Sequence, residues 1–160
     1  MTMGFESILK CFLLLMGPIF FSSCTKDKQP QSNPVSRTAL LTSAPWKVTA
    51  VTYNRDWGNG VIEVGEDQFA LFETCSKDDL TIYYLDGSGS YDQGPDKCLG
   101  ASQTRTFSWS FYHPFTGLDE NVIKLTNSGY VALTIVELTS EILKVKNFTS
   151  GGFLLYTYSH

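Results

Sequence analysis

Hydrophobic and polar residues alternate along much of the second half of the chain. In residues 104–112, Phe107, Trp109 and Phe111 alternate with threonine and serine. This period of two predicts a strand with one buried face and one solvated face, as in an antiparallel sheet. Seven further segments have shorter or less regular strand patterns: residues 46–53, 80–85, 90–92, 121–126, 130–138, 142–147 and 153–158.

Short turns join most of these segments. Residues 86–89 separate the second segment from the third, and residues 127–129, 139–141 and 150–152 separate the last four. Turns this short connect neighbouring antiparallel strands. We therefore expect an all-β fold, namely an eight-stranded antiparallel up-and-down β-barrel, because closure removes exposed strand edges. An open sandwich is the alternative.

Two short segments have helical patterns. Residues 36–43 would form a helical turn with two adjacent leucines on its buried side. Residues 66–73 place Phe69 and Phe72 three positions apart. Residues at this spacing share one face of a helix. The sequence thus predicts one or two short helices beside the strands.

The first segment has the organisation of a lipoprotein signal peptide. Lys10 precedes an apolar run at residues 11–21, and small residues lead to Cys24. The run is shorter than the ~20 residues of a membrane-spanning helix. We expect cleavage after residues 1–23 and lipidation of Cys24. Ordinary secretion with an unmodified Cys24 is the alternative.

Residues 24–37 are polar and contain proline, so they predict a flexible tether between the lipid and a domain at residues 38–160. This organisation predicts a lipid-anchored protein of the cell envelope, at the outer membrane, whose first partner is the membrane itself.

Cysteine usage predicts one disulfide. Cys11 belongs to the signal peptide and Cys24 to the anchor, which leaves Cys75 and Cys98 in an exported domain. Oxidising compartments favour disulfides. A reactive or metal-binding pair is the alternative, but two thiols without nearby histidine make a poor zinc site, and we expect no metal.

Composition and charge argue against several functions. The net charge is -4 and no basic block occurs, so a nucleic-acid partner is not expected. The chain has two histidines, His113 and His160, and no nucleophile-elbow pattern. We expect a non-enzymatic monomer without catalytic residues or cofactor.

Four aspartates flank the second and third strand segments: Asp78, Asp79, Asp92 and Asp96. Several carboxylate oxygens together can bind calcium. Aspartates in turns also accept hydrogen bonds from backbone N–H groups. We favour the second interpretation.

Five aromatic residues are candidates for lining a ligand cavity: Trp46, Tyr84, Phe107, Trp109 and Phe111. The same side chains would serve as the packed core of a small barrel. The sequence leaves both alternatives open.

An ordered set of features resembles the lipocalin-like domains of Bacteroidetes lipoproteins, over residues 40–160. These features are Cys24, Trp46, the run Cys75-Ser-Lys-Asp78-Asp79, Asp86-Gly87, Cys98, Trp109 and Glu137-Leu138-Thr139. The resemblance implies an eight-stranded lipocalin-like barrel that can hold a ligand. True lipocalins have Gly-x-Trp where this chain has Ala44-Pro45-Trp46, and an arginine over that tryptophan, whereas no arginine follows Arg105 here.

These observations predict a membrane-anchored, non-enzymatic lipocalin-like module that binds a small hydrophobic molecule. The alternative is an interaction or structural lipoprotein with a side-chain-filled barrel, acting through its surface, for example around Trp57 or Phe115.

Overall fold

The computed structural model describes residues 35–56, 58, 61–112, 120–127 and 129–160. Within them lie one short helix and nine strands. The elements are α1 (Arg37–Leu41), β1 (Trp46–Asp56), β2 (Ile62–Asp67), β3 (Leu80–Tyr83), β4 (Ser88–Asp92), β5 (Thr104–Phe111), β6 (Val122–Thr126), β7 (Tyr130–Leu138), β8 (Ile142–Thr149) and β9 (Gly152–Ser159).

Eight of the strands form a closed antiparallel barrel. From β3 to β9 each strand pairs with the next along the chain, and β1 closes the ring by pairing with both β9 and β3. The contact with β9 runs along most of β1, from Lys47 to Arg55, whereas the contact with β3 has two residue pairs. The predicted up-and-down barrel is confirmed.

The strand β2 was not predicted. It pairs with the second half of β1, from Thr52 to Asp56. The strand β3 pairs with the same edge of β1 at its other end, at Trp46 and Lys47. All six of its residues are exposed. Because β2 buries neither face, it lacks the strict alternation by which a half-buried strand is recognised.

The helix predicted at residues 66–73 is wrong. The strand β2 continues to Asp67, and a single 3₁₀ turn follows at Phe69–Leu71. The Asp67 carboxylate accepts hydrogen bonds from the backbone N–H groups of Phe69 and Ala70, which fixes this tight turn. The helical turn predicted at residues 36–43 is confirmed as α1, capped by the Ser36 hydroxyl.

The barrel has two different ends. At the closed end, α1 covers the start of β1, and Leu41 and Trp46 are fully buried. At the open end lie the turns around residues 127–129 and 150–151 and the long loop between β4 and β5. Most of the core lies between the closed end and the middle of the barrel: Leu41, Trp46, Tyr83, Phe107, Trp109, Ile123, Leu125, Leu133, Ile135, Leu143, Val145 and Tyr158.

An irregularity in β1 changes which residues face inward. The sequence pattern placed Trp46, Val48 and Ala50 on one face. The β1–β9 register shifts between Val48 and Ala50, so Val51 pairs with Tyr156 and is buried. A bulge of this kind adds one residue and reverses the alternation beyond it.

Candidate functional site

A cavity of about 490 Å³ lies inside the barrel towards its open end. Every strand from β3 to β9 contributes to its wall, which is mostly aromatic and aliphatic with a few neutral polar groups. The lining residues are Thr81, Tyr83, Tyr91, Phe107, Leu125, Asn127, Gly129, Tyr130, Val131, Leu133, Asn147, Tyr156 and Tyr158.

Strand alternation turns several tyrosines inward. Tyr156 and Tyr158 lie two positions apart on β9, opposite buried residues of β8. Tyr83 lies on β3 and Tyr91 on β4, and both line the cavity. Directly paired residues of neighbouring strands project from the same face of a sheet. The closed register therefore gathers side chains from distant parts of the chain around one space.

Gly89 on β4 allows the Phe107 ring to lie close to the backbone of the neighbouring strand. Gly89 is directly opposite Phe107, and a Cβ at that position would overlap the Phe107 ring and lie 2.8 Å from the Ile82 carbonyl oxygen. The Phe107 ring meets Tyr83 edge-on at 5.6 Å and lies 4.7 Å from the Tyr91 ring. These ring contacts form a fixed side of the cavity.

Four of the cavity phenols, those of Tyr83, Tyr91, Tyr156 and Tyr158, have raised pKa values. Burial is the largest cause at Tyr83 and Tyr158, and the neighbouring phenols add to it. Burial also raises the pKa of Tyr91 and of Tyr156. Ionised phenolates would repel one another in this space. The four hydroxyls therefore remain protonated at neutral pH and can donate hydrogen bonds.

Charged groups lie at the rim and not in the lining. The Arg105 guanidinium lies 5.9 Å from the centre of the Tyr91 ring. Asp79 has a raised pKa, because of burial and of the nearby Asp78 carboxylate, an effect that Arg105 opposes. At the open end, Arg105 thus lies close to the carboxylate of Asp79 and its acidic neighbours.

The five predicted ligand-lining aromatics occupy different places. Phe107 lines the cavity. Trp46 and Trp109 are buried in the core, and Phe111 packs against it. Tyr84 is 45% exposed and its hydroxyl lies 3.2 Å from that of Ser90. The structure therefore brings one of the five to the cavity.

Five lining tyrosines were not predicted from the sequence: Tyr83, Tyr91, Tyr130, Tyr156 and Tyr158. On β3 the hydrophobic pattern misleads, because Leu80 and Ile82 share a face with Tyr84, whereas the buried face carries Thr81 and Tyr83. On β9 the spacing of Tyr156 and Tyr158 is a period-two signal that could have identified both.

The closed end is built around Trp46. Its indole N–H donates a hydrogen bond of 2.8 Å to the Leu41 carbonyl oxygen. The His160 ring lies 3.9 Å from the Trp46 ring, and its Nδ1 is 2.9 Å from the Pro45 carbonyl oxygen. The His160 ring therefore covers Trp46 at this end of the barrel.

The predicted disulfide is confirmed. Cys75 and Cys98 are bonded, with a Cα–Cα distance of 5.2 Å. The bridge ties the 3₁₀ turn Thr74–Ser76 to the loop after β4, near the open end. Cys24, the predicted lipid-attachment residue, lies outside the described residues, as do Trp57, His113 and Phe115.

The aspartates at the open end bind backbone and amide groups. Asp78 Oδ2 accepts a hydrogen bond from the Asp96 N–H, and Asp92 Oδ1 accepts from the Gly94 N–H and the Gln103 amide. One oxygen each of Asp78 and Asp79 is buried without a hydrogen-bond partner. The contacts of Asp78 and Asp92 are those of turn and cap residues, and the interpretation of the four aspartates together stays a prediction.

Among the described residues, one further group of side chains has the composition of a metal site. Glu73, Cys75 and Cys98 place possible metal-ligand atoms within 4.8 Å of one another, but the two sulfurs are bonded to each other. In the same part of the chain, no helix is long and apolar enough to cross a membrane.

Comparisons of the chain with family models, with curated proteins and with solved structures give no match.

Proposed function

We propose that the chain is a lipoprotein whose lipocalin-like barrel binds a small hydrophobic molecule in the cavity at its open end. The observation that carries the proposal is the cavity itself. Its volume of about 490 Å³ falls in the range of small-molecule sites, roughly 300–1,000 Å³. Like such sites, it has an apolar wall and a few polar groups, here Thr81, Asn127 and Asn147.

The residues that line the cavity support ligand binding without catalysis. Among the residues that line the cavity, the hydroxyls belong to threonine and tyrosine, and none of the lining side chains is a histidine, cysteine, lysine or carboxylate. A nucleophile needs an adjacent base to be activated. The proposal is therefore a binding protein and not an enzyme.

The anchor is proposed from the sequence around Cys24. The Cys75–Cys98 disulfide supports export to an oxidising compartment. A lipid on Cys24 would anchor the protein in the cell envelope, at the outer membrane. Metabolic labelling with a palmitate analogue tests this step. The label should be incorporated by the wild-type chain and be lost in Cys24→Ser, and labelling of that variant would contradict the anchor.

Native mass spectrometry tests the binding function. The full chain carrying Cys24→Ser is produced in a bacterial periplasm and purified without detergent. We expect an additional small-molecule mass that is released on denaturation. Phe107→Ala, which enlarges and opens the cavity wall, should reduce its occupancy. Phe148→Ala, on the outer wall, is the matched control. A bare mass in all three proteins would contradict the proposal.

A second candidate is an interaction module that acts through the outer surface. The observation that favours it is β2, an edge strand on which Ile62 and Val64 are 48% and 79% exposed. Edges of this kind can accept another strand. A bare mass in the experiment above, together with crosslinking of a partner at position 64, would favour this candidate.

A further inference from the structure

The chemistry of the cavity wall restricts the kind of molecule that it can hold, and this step rests on the proposed binding function. Five tyrosines line the cavity. Tyr130 is 55% exposed, whereas the other four, Tyr83, Tyr91, Tyr156 and Tyr158, are buried or half-buried and place their phenols in this space. Tyr83, Tyr91 and Tyr158 each interact electrostatically with at least one of the other phenols, in agreement with their place around one cavity.

Among the described residues, these four phenols have no hydrogen-bond partner. The hydrogen bonds of the described residues include those of the Tyr53 and Tyr84 hydroxyls, to Gly151 and Ser90, but none from the four cavity hydroxyls. Polar groups in an apolar space gain free energy when a partner is supplied. A hydrocarbon would leave all four hydroxyls unsatisfied, whereas a molecule with oxygen atoms could bind to them.

The charges around the cavity disfavour ionised ligands. No lining residue carries a charge at neutral pH, so an ion would lose its hydration without gaining a counter-charge. At the rim, Arg105 lies over Tyr91 and interacts with Asp79, which is itself close to Asp78 and Asp92. These carboxylates offset the positive charge of Arg105, so this guanidinium does not offer a ligand anion an unpaired counter-charge.

From these observations we infer that the cavity takes an uncharged amphiphile: an apolar chain or ring system that carries hydroxyl, ester or other carbonyl groups. Its apolar part contacts Phe107, Leu125 and Leu133, and its oxygen atoms bind the phenol hydroxyls.

The experiment compares three ligands with one alkyl chain and different head groups. They are monolauroylglycerol, laurate and lauryltrimethylammonium, all kept below their micelle concentrations at neutral pH. Each competes with the neutral fluorescent dye N-phenylnaphthylamine for the full chain carrying Cys24→Ser. We expect monolauroylglycerol to bind at least about tenfold more tightly than either ion, because an unpaired buried charge costs more than ~1.4 kcal/mol.

The double variant Tyr83→Phe/Tyr158→Phe removes two hydroxyls and keeps both rings. Its affinity for monolauroylglycerol should fall about tenfold, since each of the two lost hydrogen bonds is worth roughly a factor of three. Its affinity for the dye should stay within about twofold. Tyr84→Phe removes a hydroxyl outside the cavity and should change neither affinity.

The outcomes separate the two proposals. Failure of the dye and of all three ligands to bind would overturn the binding function and this inference together. If the dye bound, and laurate or lauryltrimethylammonium bound as tightly as monolauroylglycerol, the binding function would be supported but the inference of an uncharged ligand would be overturned. Unchanged glyceride affinity in the double variant would overturn the role of the phenols.

Discussion

His160 contributes to the closed end through its ring and through both ring nitrogens. The ring lies against Trp46, and Nδ1 and Nε2 are 2.9 Å from the Pro45 carbonyl oxygen and 3.5 Å from the Ser43 hydroxyl. His160→Ala should lower the free energy of unfolding by about 1–2 kcal/mol, because a ring contact and a hydrogen bond are lost. Urea denaturation measures the change. His160→Phe keeps the ring and should recover roughly half of it, and equal losses in both variants would contradict the role of the ring contact.

Gly89 is a residue whose lack of a side chain shapes the cavity. Gly89→Ala would place a methyl group where the Phe107 ring lies, and should destabilise the barrel by about 1–3 kcal/mol through overpacking. Gly129→Ala is the matched control, because a Cβ there meets no atom within 4 Å. Thermal unfolding monitored by circular dichroism gives both values. If the two variants melted together, the close approach of Phe107 to Gly89 would be disproved.

At the scale of elements, the disulfide ties two segments that have little regular structure. Its cysteines are 23 residues apart. Replacing both by serine should lower the free energy of unfolding by about 3 kcal/mol in the chain-entropy view. Equilibrium denaturation of Cys75→Ser/Cys98→Ser, compared with Cys24→Ser, tests this. A loss below about 0.5 kcal/mol would show that the bridge does not restrict the unfolded chain as that view requires.

The strands were predictable to different degrees, for physical reasons. Half-buried strands such as β5 have alternating apolar and polar residues, because one face of the strand contacts the core and the other contacts water. The exposed strand β2 is held by backbone hydrogen bonds to β1, which leave no such pattern. The disulfide was predictable because Cys75 and Cys98 are the two cysteines that follow the predicted signal peptide and lipid-attachment residue.

The cavity lining was less predictable than the strands. Which aromatic side chains border an empty space depends on how the barrel closes, and closure is set by cross-strand register. The bulge between Val48 and Ala50 and the inward turn of Tyr83 instead of Tyr84 are both consequences of register. A one-residue shift moves a side chain to the opposite face, so a pattern along one strand cannot decide it.

The whole molecule should be sensitive to alkaline pH. Unfolded phenols ionise near pH 10, whereas burial raises the pKa values of Tyr83 and Tyr158 in the folded barrel. Above about pH 10 the unfolded chain therefore holds fewer protons than the folded chain, so the free energy of unfolding falls as pH rises. This contribution is fully present below the unfolded pKa and is lost as the pH rises through the folded values.

Tyrosinate absorbance and circular dichroism, recorded together during an alkaline titration, test the prediction. Part of the absorbance change should coincide with cooperative unfolding, and Tyr83→Phe/Tyr158→Phe should flatten the pH dependence of stability. If the absorbance change were complete before the circular dichroism began to change, the buried phenols would not resist ionisation.

The short pairing of β1 with β3 gives the barrel wall a seam. Two residue pairs join these strands, whereas eight join β1 to β9. Local opening favours regions with few protecting hydrogen bonds, so amide protons beside this seam, on Leu80 to Ile82, should exchange with solvent sooner than those of β8 and β9. Hydrogen exchange followed by mass spectrometry would show it, and uniform protection around the ring would contradict it. Local separation of β1 from β3 would open a lateral exit through which a bound molecule could dissociate while the rest of the barrel stays folded.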